Sequence, residues 1–301
     1  NEKFLIVIGG PTAIGKTSVA IEIANRLNCP ILSADSRQLY REMSIGTAKP
    51  SKEQLEAVKH YFIDHISIHE EYSVGDYEKE AIDLLEQEIF SSGNVAILTG
   101  GTGLYIKAVC EGLNEFPNVD PVIHQQLNAV LETEGIEVLQ SELEEKDPKY
   151  FAQADITNPH RVVRALGVIR SSGNAFSNYW DAPKRPRRFT PVYISLTLDR
   201  DVLYQRINDR VDRMIEYGLV EEVKALHPYA HLRSLQTVGY QELFAHFDGQ
   251  SSQEESIAKI KQHSRNYAKR QMTWFRNQGK WQEENPTDIE SIFTWINRQI
   301  N

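Results

Sequence analysis

The chain has 301 residues, 41% of them hydrophobic and 25% charged, and carries a net charge of −9. Such a composition fits a globular chain of roughly two domains and excludes a disordered polymer, a collagen-like fibre and a small disulfide scaffold. The longest wholly apolar run, residues 4–8, is far short of the roughly 20 residues a bilayer requires, and no charged-then-apolar leader opens the chain. A soluble cytoplasmic protein without a membrane partner is expected. Two cysteines, Cys29 and Cys110, suit a reducing compartment, and no Cys/His cluster has zinc-site spacing, so a metal would be held by oxygens.

In chain order, residues 3–9 form an apolar, β-branched strand ending in glycine. A polar loop follows, then the helical spacing of Val19, Ala20, Ile23, Ala24 and Leu27. Further strands are expected at 30–34, 61–66, 95–99 and 192–198. A helix over 73–90 is capped by Ser73 with Asp76 three residues on, and Gly93 stops it. From about residue 114 the pattern turns helical, with segments at 121–134, 136–145 and 159–169, the last capped by Asn158 with Pro159 in its first turn. After the strand at 192–198 comes a helix over 201–226, and from Thr237 the chain reads as helical throughout.

Short strands alternating with helices predict an α/β P-loop core with a parallel, doubly wound sheet flanked by helices, its ligands at the carboxyl ends of the strands. The economical division is a first core part at 1–113, a helical insertion at 114–189, and a second core part at 190–301 with C-terminal helices.

Charge is unevenly spread. Residues 132–147 carry Glu132, Glu134, Glu137, Glu142, Glu144, Glu145 and Asp147 against the single Lys146, whereas Lys259, Lys261, Arg265, Lys269, Arg270, Arg276 and Lys280 share a span with no acid. Lys184-Arg-Pro-Arg-Arg188 is a second basic run. A charge run alone reads as a solvated helix face; the length of the acid-free span, with Tyr267, Trp274 and Phe275 interleaved, raises the case for a polyanion partner.

The strongest local signal is Gly10-Pro11-Thr12-Ala13-Ile14-Gly15-Lys16-Thr17, which fits G-x-x-x-x-G-K-[ST] directly after a strand and before a helix. Glycines let backbone N–H groups and the helix N-terminus surround a phosphate, Lys16 neutralises it, and Thr17 offers a hydroxyl to Mg²⁺. The strand at 95–99 ends in Thr99-Gly-Gly-Thr102 and not in the acid a nucleotide hydrolase or kinase would use to hold the metal's water. The neighbouring strand does end in an acid, Asp35. Its carboxylate would either reach Mg²⁺ through water or accept a proton from a nucleophile; the plain alternative is a turn or helix-capping aspartate. Thr102 likewise reads as a phosphoryl-oxygen donor or as a helix N-cap.

Five blocks then appear in order: Gly10 to Thr17, Asp35-Ser-Arg-Gln-Leu-Tyr40, Ile45-Gly-Thr-Ala-Lys-Pro50, Gly100-Gly-Thr-Gly-Leu-Tyr105 and Lys269-Arg-Gln-Met-Thr-Trp-Phe275. Together they closely resemble the bacterial tRNA dimethylallyltransferases, over nearly the whole chain. The resemblance implies transfer of a dimethylallyl group from dimethylallyl diphosphate to the exocyclic N6 amine of the adenosine 3′ of the anticodon in tRNA. The P-loop then holds a prenyl diphosphate and not ATP, which accounts for the missing second acid.

On that reading Lys16, the loop N–H groups, Mg²⁺ near Thr17 and an arginine stabilise the departing diphosphate, and Asp35 receives the amine's proton. Arg206 and Arg210 stand one helical turn apart; Arg210 is the preferred diphosphate ligand with Thr102 as a second contact, the alternative being surface arginines facing Asp209 and Asp212. Asp35, Ser36, Arg37, Gln38 and Thr102 line the place that receives the unstacked base. His160, Arg161 and Arg164 match the family segment that contacts tRNA, though alone they read as solvated helix charges. His124 stands where relatives carry arginine, implying a weaker, pH-dependent backbone contact. No C-terminal C2H2 zinc-finger pattern is present, which favours the bacterial branch, and a monomer is expected. The rival readings are an isopentenyltransferase acting on free adenine nucleotides, a small-molecule kinase, and a non-catalytic tRNA-binding P-loop protein.

Overall fold

A computed structural model describes residues 2–181 and 184–301. Its elements are β1 (Phe4–Gly9), α1 (Lys16–Leu27), β2 (Ile31–Ser33), α2 (Lys52–Ala57), β3 (His60–Tyr61), α3 (Val74–Leu84), α4 (Phe90–Ser92), β4 (Val95–Gly100) and α5 (Gly103–Glu111), followed by α6 (Pro121–Glu134), α7 (Ile136–Lys146), α8 (Pro148–Gln153) and α9 (Pro159–Ser172). The chain continues as β5 (Thr190–Leu196), α10 (Arg200–Glu216), α11 (Leu219–Leu226), α12 (Tyr240–Phe247), α13 (Gln253–Asn277), β6 (Gln282–Glu284) and α14 (Ile289–Ile300).

Among the described residues the strands form one six-stranded sheet in the order β3-β2-β4-β1-β5-β6, every neighbouring pair parallel. β1 is central and buried on both faces. Its Ile6 and Ile8 pack with Val19 and Ile23 of α1 and Leu203 of α10, while Leu5 and Val7 pack on the opposite face with Tyr77 of α3 and Ile106 of α5. This two-sided burial is why the strand reads as an unbroken apolar run. Each such Ile or Leu side chain contributes about 1.5–3 kcal/mol by leaving water. The carboxyl ends of β1, β4 and β2 lie side by side, so the loops after Gly9, Gly100 and Ser33 share one rim.

The expected strand at 61–66 is only His60–Tyr61, because Phe62 and Asp64 adopt φ of 64° and 54°, which an extended ladder cannot contain. The helix expected over 73–90 is interrupted by a π turn at Leu85–Ile89, through which Leu85, Ile89 and Phe90 all reach the core. The helix expected over 201–226 breaks at Gly218, whose φ of 99° suits glycine. The C-terminal region is not wholly helical: Gln282–Glu284 adds parallel to β5. No helix among the described residues is long and apolar enough to cross a membrane.

Contacts divide the chain into one unit of Asn1–Cys110 with Arg187–Asn301 and a second of Glu111–Pro186, against the expected helical insertion at 114–189. In the second unit α6, α7 and α9 surround Leu127, Leu139, Leu143, Val162 and Leu166. Asp147, at the end of the acidic run, is not a solvated charge but only 2% exposed. Its carboxylate accepts from the Tyr150 N–H at 3.0 Å and from the N–H and hydroxyl of Ser177, both at 2.7 Å, so it caps α8 and ties down the turn at Phe176–Tyr179. Asp147→Ala should cost this unit about 3 kcal/mol, since it leaves buried donors without their charged acceptor. Amide exchange on the whole chain checks this: exchange at Tyr150 and Ser177 should quicken roughly a hundredfold, and unchanged rates would show that the carboxylate does not hold the turn.

Candidate active site

The loop between β1 and α1 turns on Gly15, which caps α1 at φ 108°, a conformation that favours glycine. The first N–H groups of α1 therefore face the loop's interior, where a phosphate would sit. Lys16 is half-buried and its Nζ donates to the Pro11 carbonyl at 2.8 Å. Desolvation first and the Arg210 charge second push this ammonium down to about 7, with Asp35 acting in the opposite direction. Arg210 of α10 donates from Nη1 to the Thr12 hydroxyl at 3.1 Å. Desolvation lowers its pKa too, again against the pull of Asp35. Arg206, one turn earlier, reaches the Ile14 carbonyl at 3.4 Å. Both arginines thus face the phosphate loop, not Asp209 and Asp212, and Arg210 is the one that shares its electrostatic environment with Lys16 and Asp35.

Asp35 follows β2. Its Oδ1 accepts from the N–H groups of Arg37 at 2.9 Å and Gln38 at 3.3 Å, the geometry of a turn-capping aspartate. Thr102 also holds the backbone in place, since its hydroxyl accepts from the Ser36 N–H at 3.0 Å while its own N–H donates to the Ala34 carbonyl at 3.1 Å. Tyr267 of α13 lies against Thr102, its hydroxyl pushed up to about 12 chiefly by burial. Lys16, Thr17, Asp35, Gln38 and Thr99 line one small cavity of about 40 Å³. A larger cavity of about 190 Å³ lies on the β5 side of the loop, walled by Pro11, Ile14, Leu196, Met272, Phe275 and Trp281.

The segment that contains Ile45 to Pro50 forms another wall of the small cavity, which it reaches at Pro50. Glu222 of α11 accepts from the N–H groups of Ser44, Ile45 and Gly46 at 3.2, 2.8 and 3.1 Å and from the Tyr240 hydroxyl at 2.6 Å. The Gln38 amide donates to the carbonyls of Thr47 and Ala48 and accepts from the Ser33 hydroxyl. Its side chain is therefore occupied in shaping the wall. Arg37 is tied to the Ser234 carbonyl at 2.9 Å.

In the second unit His160, Arg161 and Arg164 are exposed on one side of α9, whose remaining face is buried. Arg164 lies over the Phe116 ring. His124 is exposed on α6, with Nδ1 3.2 Å from the Asn128 amide.

On α13, Lys259, Lys269, Arg270 and Arg276 are exposed, while Lys261 pairs with Asp212 and Arg265 bonds Asn208. The interleaved aromatics do not form a stacking surface. Phe275 is buried, and Trp274, Phe275 and Trp281 meet edge to face, in contact with Gly9 and Gly103. In the Lys184–Arg188 run, Arg187 is an internal anchor to the carbonyls of Ala108 and Val109 and to Glu78.

A family model described as IPP transferase matches residues 38–278. The chain belongs to the IPP transferase family. It is 49% identical over 300 residues to the tRNA dimethylallyltransferase of Christiangramia forsetii, covering 99% of each chain. Among solved structures, the full-length tRNA isopentenylpyrophosphate transferase of Bacillus halodurans matches with a TM-score of 0.73 at 38% identity, over 99% of this chain and 96% of that one. A eukaryotic dimethylallyltransferase acting on tRNA matches with a TM-score of 0.84 at 25% identity, over 99% of this chain and 78% of that one.

Some site residues of this chain are not singled out by sequence. Glu222 and Tyr240, which hold the wall, carry no local motif. Gln271, which bonds the phosphate loop, sits inside the Lys269 to Phe275 block, and that block is the one signal that points to it. The depressed Lys16 makes anion binding a protonation event. Between about pH 7 and the higher pKa that a bound diphosphate would impose, the complex holds one proton more than the free protein, so affinity falls as pH rises through this window. Titration with dimethylallyl diphosphate at pH 6.5 and 8.5 should show binding weakened by roughly tenfold at the higher pH, with proton uptake measured from two buffers of different ionisation heat. Equal affinities would mean that Lys16 is charged throughout.

Proposed function

We propose that this member of the IPP transferase family transfers the dimethylallyl group of dimethylallyl diphosphate to the exocyclic N6 amine of the adenosine 3′ of the anticodon in tRNA. The products are N6-isopentenyladenosine and diphosphate. The observation that carries the reading is the meeting of Lys16, Arg210 and Asp35 at the phosphate loop: two cations with depressed pKa beside one carboxylate. The amine nitrogen forms a bond to the allylic carbon while the carbon–oxygen bond breaks, its electron pair leaving on the diphosphate. Lys16, Arg210 and the loop N–H groups lower the energy of that departing charge. The amine's proton passes to Asp35, whose Oδ2 lies outside the turn bonds held by Oδ1.

The donor set fits Mg²⁺ in the manner usual for phosphate substrates. Thr17 and Asp35 line the same cavity, and no cluster of three or more His, Cys, Asp or Glu among the described residues forms an all-protein cage. Thr17 would hold the ion, which would supply further charge neutralisation on the leaving group.

For tRNA, Asp35 to Gln38 and Thr102 surround the base-receiving side. His124, His160, Arg161 and Arg164 and the exposed bases of α13 meet the phosphate backbone. A tRNA substrate agrees with a cytoplasmic location, and a monomer suffices for the chemistry described.

The deciding experiment offers radiolabelled dimethylallyl diphosphate and Mg²⁺ with unmodified tRNA, beside AMP or ATP as acceptor. Label should enter tRNA alone; label in the mononucleotide alone would make the chain an adenylate isopentenyltransferase, and none in either would return the kinase reading. Asp35→Asn keeps the acceptor for the turn but removes the base. It should lower the single-turnover rate by roughly 10²–10⁴ with tRNA affinity nearly unchanged; an unaltered rate would take the proton-accepting role from Asp35.

A further inference from the structure

The parallel ladder between β1 and β4 ends at the pair Gly9 and Gly100. Beyond it the two chains diverge, one into the phosphate loop and the other into the Gly101 to Gly103 turn, and ladder bonds stop where the site begins. Gln271 of α13 stands in that gap. It is 6% exposed, its Oε1 accepts from the Thr12 N–H at 2.8 Å, and its Nε2 donates to the Gly101 carbonyl at 3.0 Å. One side-chain amide thus takes the place of a peptide group, with one acceptor for the first loop and one donor for the second. The fit is close: a Cβ on Gly101 would lie 2.2 Å from Nε2.

Both loops carry site groups within a residue or so of these bonds. Thr12 also accepts from Arg210 through its hydroxyl, so its N–H and its side chain are both engaged by protein. Thr12 therefore places the loop and its own N–H does not bind phosphate. Gly101 precedes Thr102, whose hydroxyl fixes Ser36 beside Asp35. Because hydrogen-bond distances on both sides are set by a single rigid amide, a change there moves the Arg210 side of the site relative to the Asp35 side.

We propose that Gln271 is a positioning residue that fixes the separation of the phosphate loop from the Gly101–Thr102 turn and thereby sets the protein's affinity for the diphosphate group. The proposal rests on the reading that the loop holds a diphosphate. A role confined to the fold would lower stability and weaken both substrates together, whereas positioning weakens one.

Gln271→Met keeps the side chain's bulk without either bond. Its KM for dimethylallyl diphosphate should rise by roughly tenfold, the loss expected for about one net hydrogen bond to each loop, while the tRNA Kd stays within about twofold. Gly101→Ala attacks the same contact from the other loop and should give the same split. The double variant should be no worse than the poorer single one, since both act through one bond. Unchanged diphosphate KM in Gln271→Met, or equal weakening of both substrates with a fall in Tm, overturns the proposal, as does full additivity of the two changes. Calorimetric titration of wild type and Gln271→Met with magnesium pyrophosphate separates the two levels of inference. If the wild type transfers no prenyl group but loses pyrophosphate affinity on substitution, the functional reading falls and Gln271 stands; equal pyrophosphate affinity removes Gln271 alone.

Discussion

Two like charges held together at the phosphate loop dominate this molecule's chemistry. Lys16 and Arg210 each have a pKa depressed mainly by desolvation, and Lys16 is depressed further by its neighbour. Asp35 offsets part of this but supplies one negative charge against two positive ones. The site is therefore at its lowest energy with an additional anion, and the energy of holding the cations together is returned when one binds. A leaving group that gains charge as its bond breaks benefits more than the same group at rest, which is the condition for catalysis and not merely for binding.

Those charges are kept together by elements far along the chain from the phosphate loop. α10 brings Arg206 and Arg210 across the loop, one to a carbonyl and the other to the Thr12 hydroxyl. α13 reaches in with Gln271, and with Trp274 and Phe275 against Gly103 and Gly9, where side chains on the glycines would collide with rings. Glu222 collects three backbone N–H groups and a tyrosine hydroxyl to hold the far wall. The hydrogen bonds among these contacts join residues separated by up to 259 positions in the chain. Most of them are buried or half-buried polar bonds whose loss leaves a partner unsatisfied, which makes the surroundings of the site stiff.

Local chemistry decides what the sequence reveals. β1 is legible because burial on both faces leaves an apolar run, and the phosphate loop because glycines, lysine and threonine must stand at fixed spacing. α6 and α9 are legible from Pro at the helix start after a capping residue. β6 is not, because Gln282-Glu-Glu284 is a polar edge strand with no apolar alternation; its carboxylates suit an edge that must resist pairing with another chain. The short β3 is overestimated since nothing in the letters Phe62 and Asp64 announces a left-handed backbone.

The aromatics of α13 show why pattern alone misleads at the basic span. Acid-free sequence with interleaved Tyr, Trp and Phe describes a stacking platform for bases equally well as it describes an amphipathic helix whose apolar side enters a core. A helix of this length turns its bases outward and its rings inward, since the two sets fall on different faces: Lys269, Arg270 and Arg276 are exposed while Gln271 and Phe275 are buried. That division leaves the bases where a polyanion would meet them and packs the rings inside. The face that would meet a polyanion and the face that holds the phosphate loop are therefore opposite sides of one helix, built from the same short block at helical spacing.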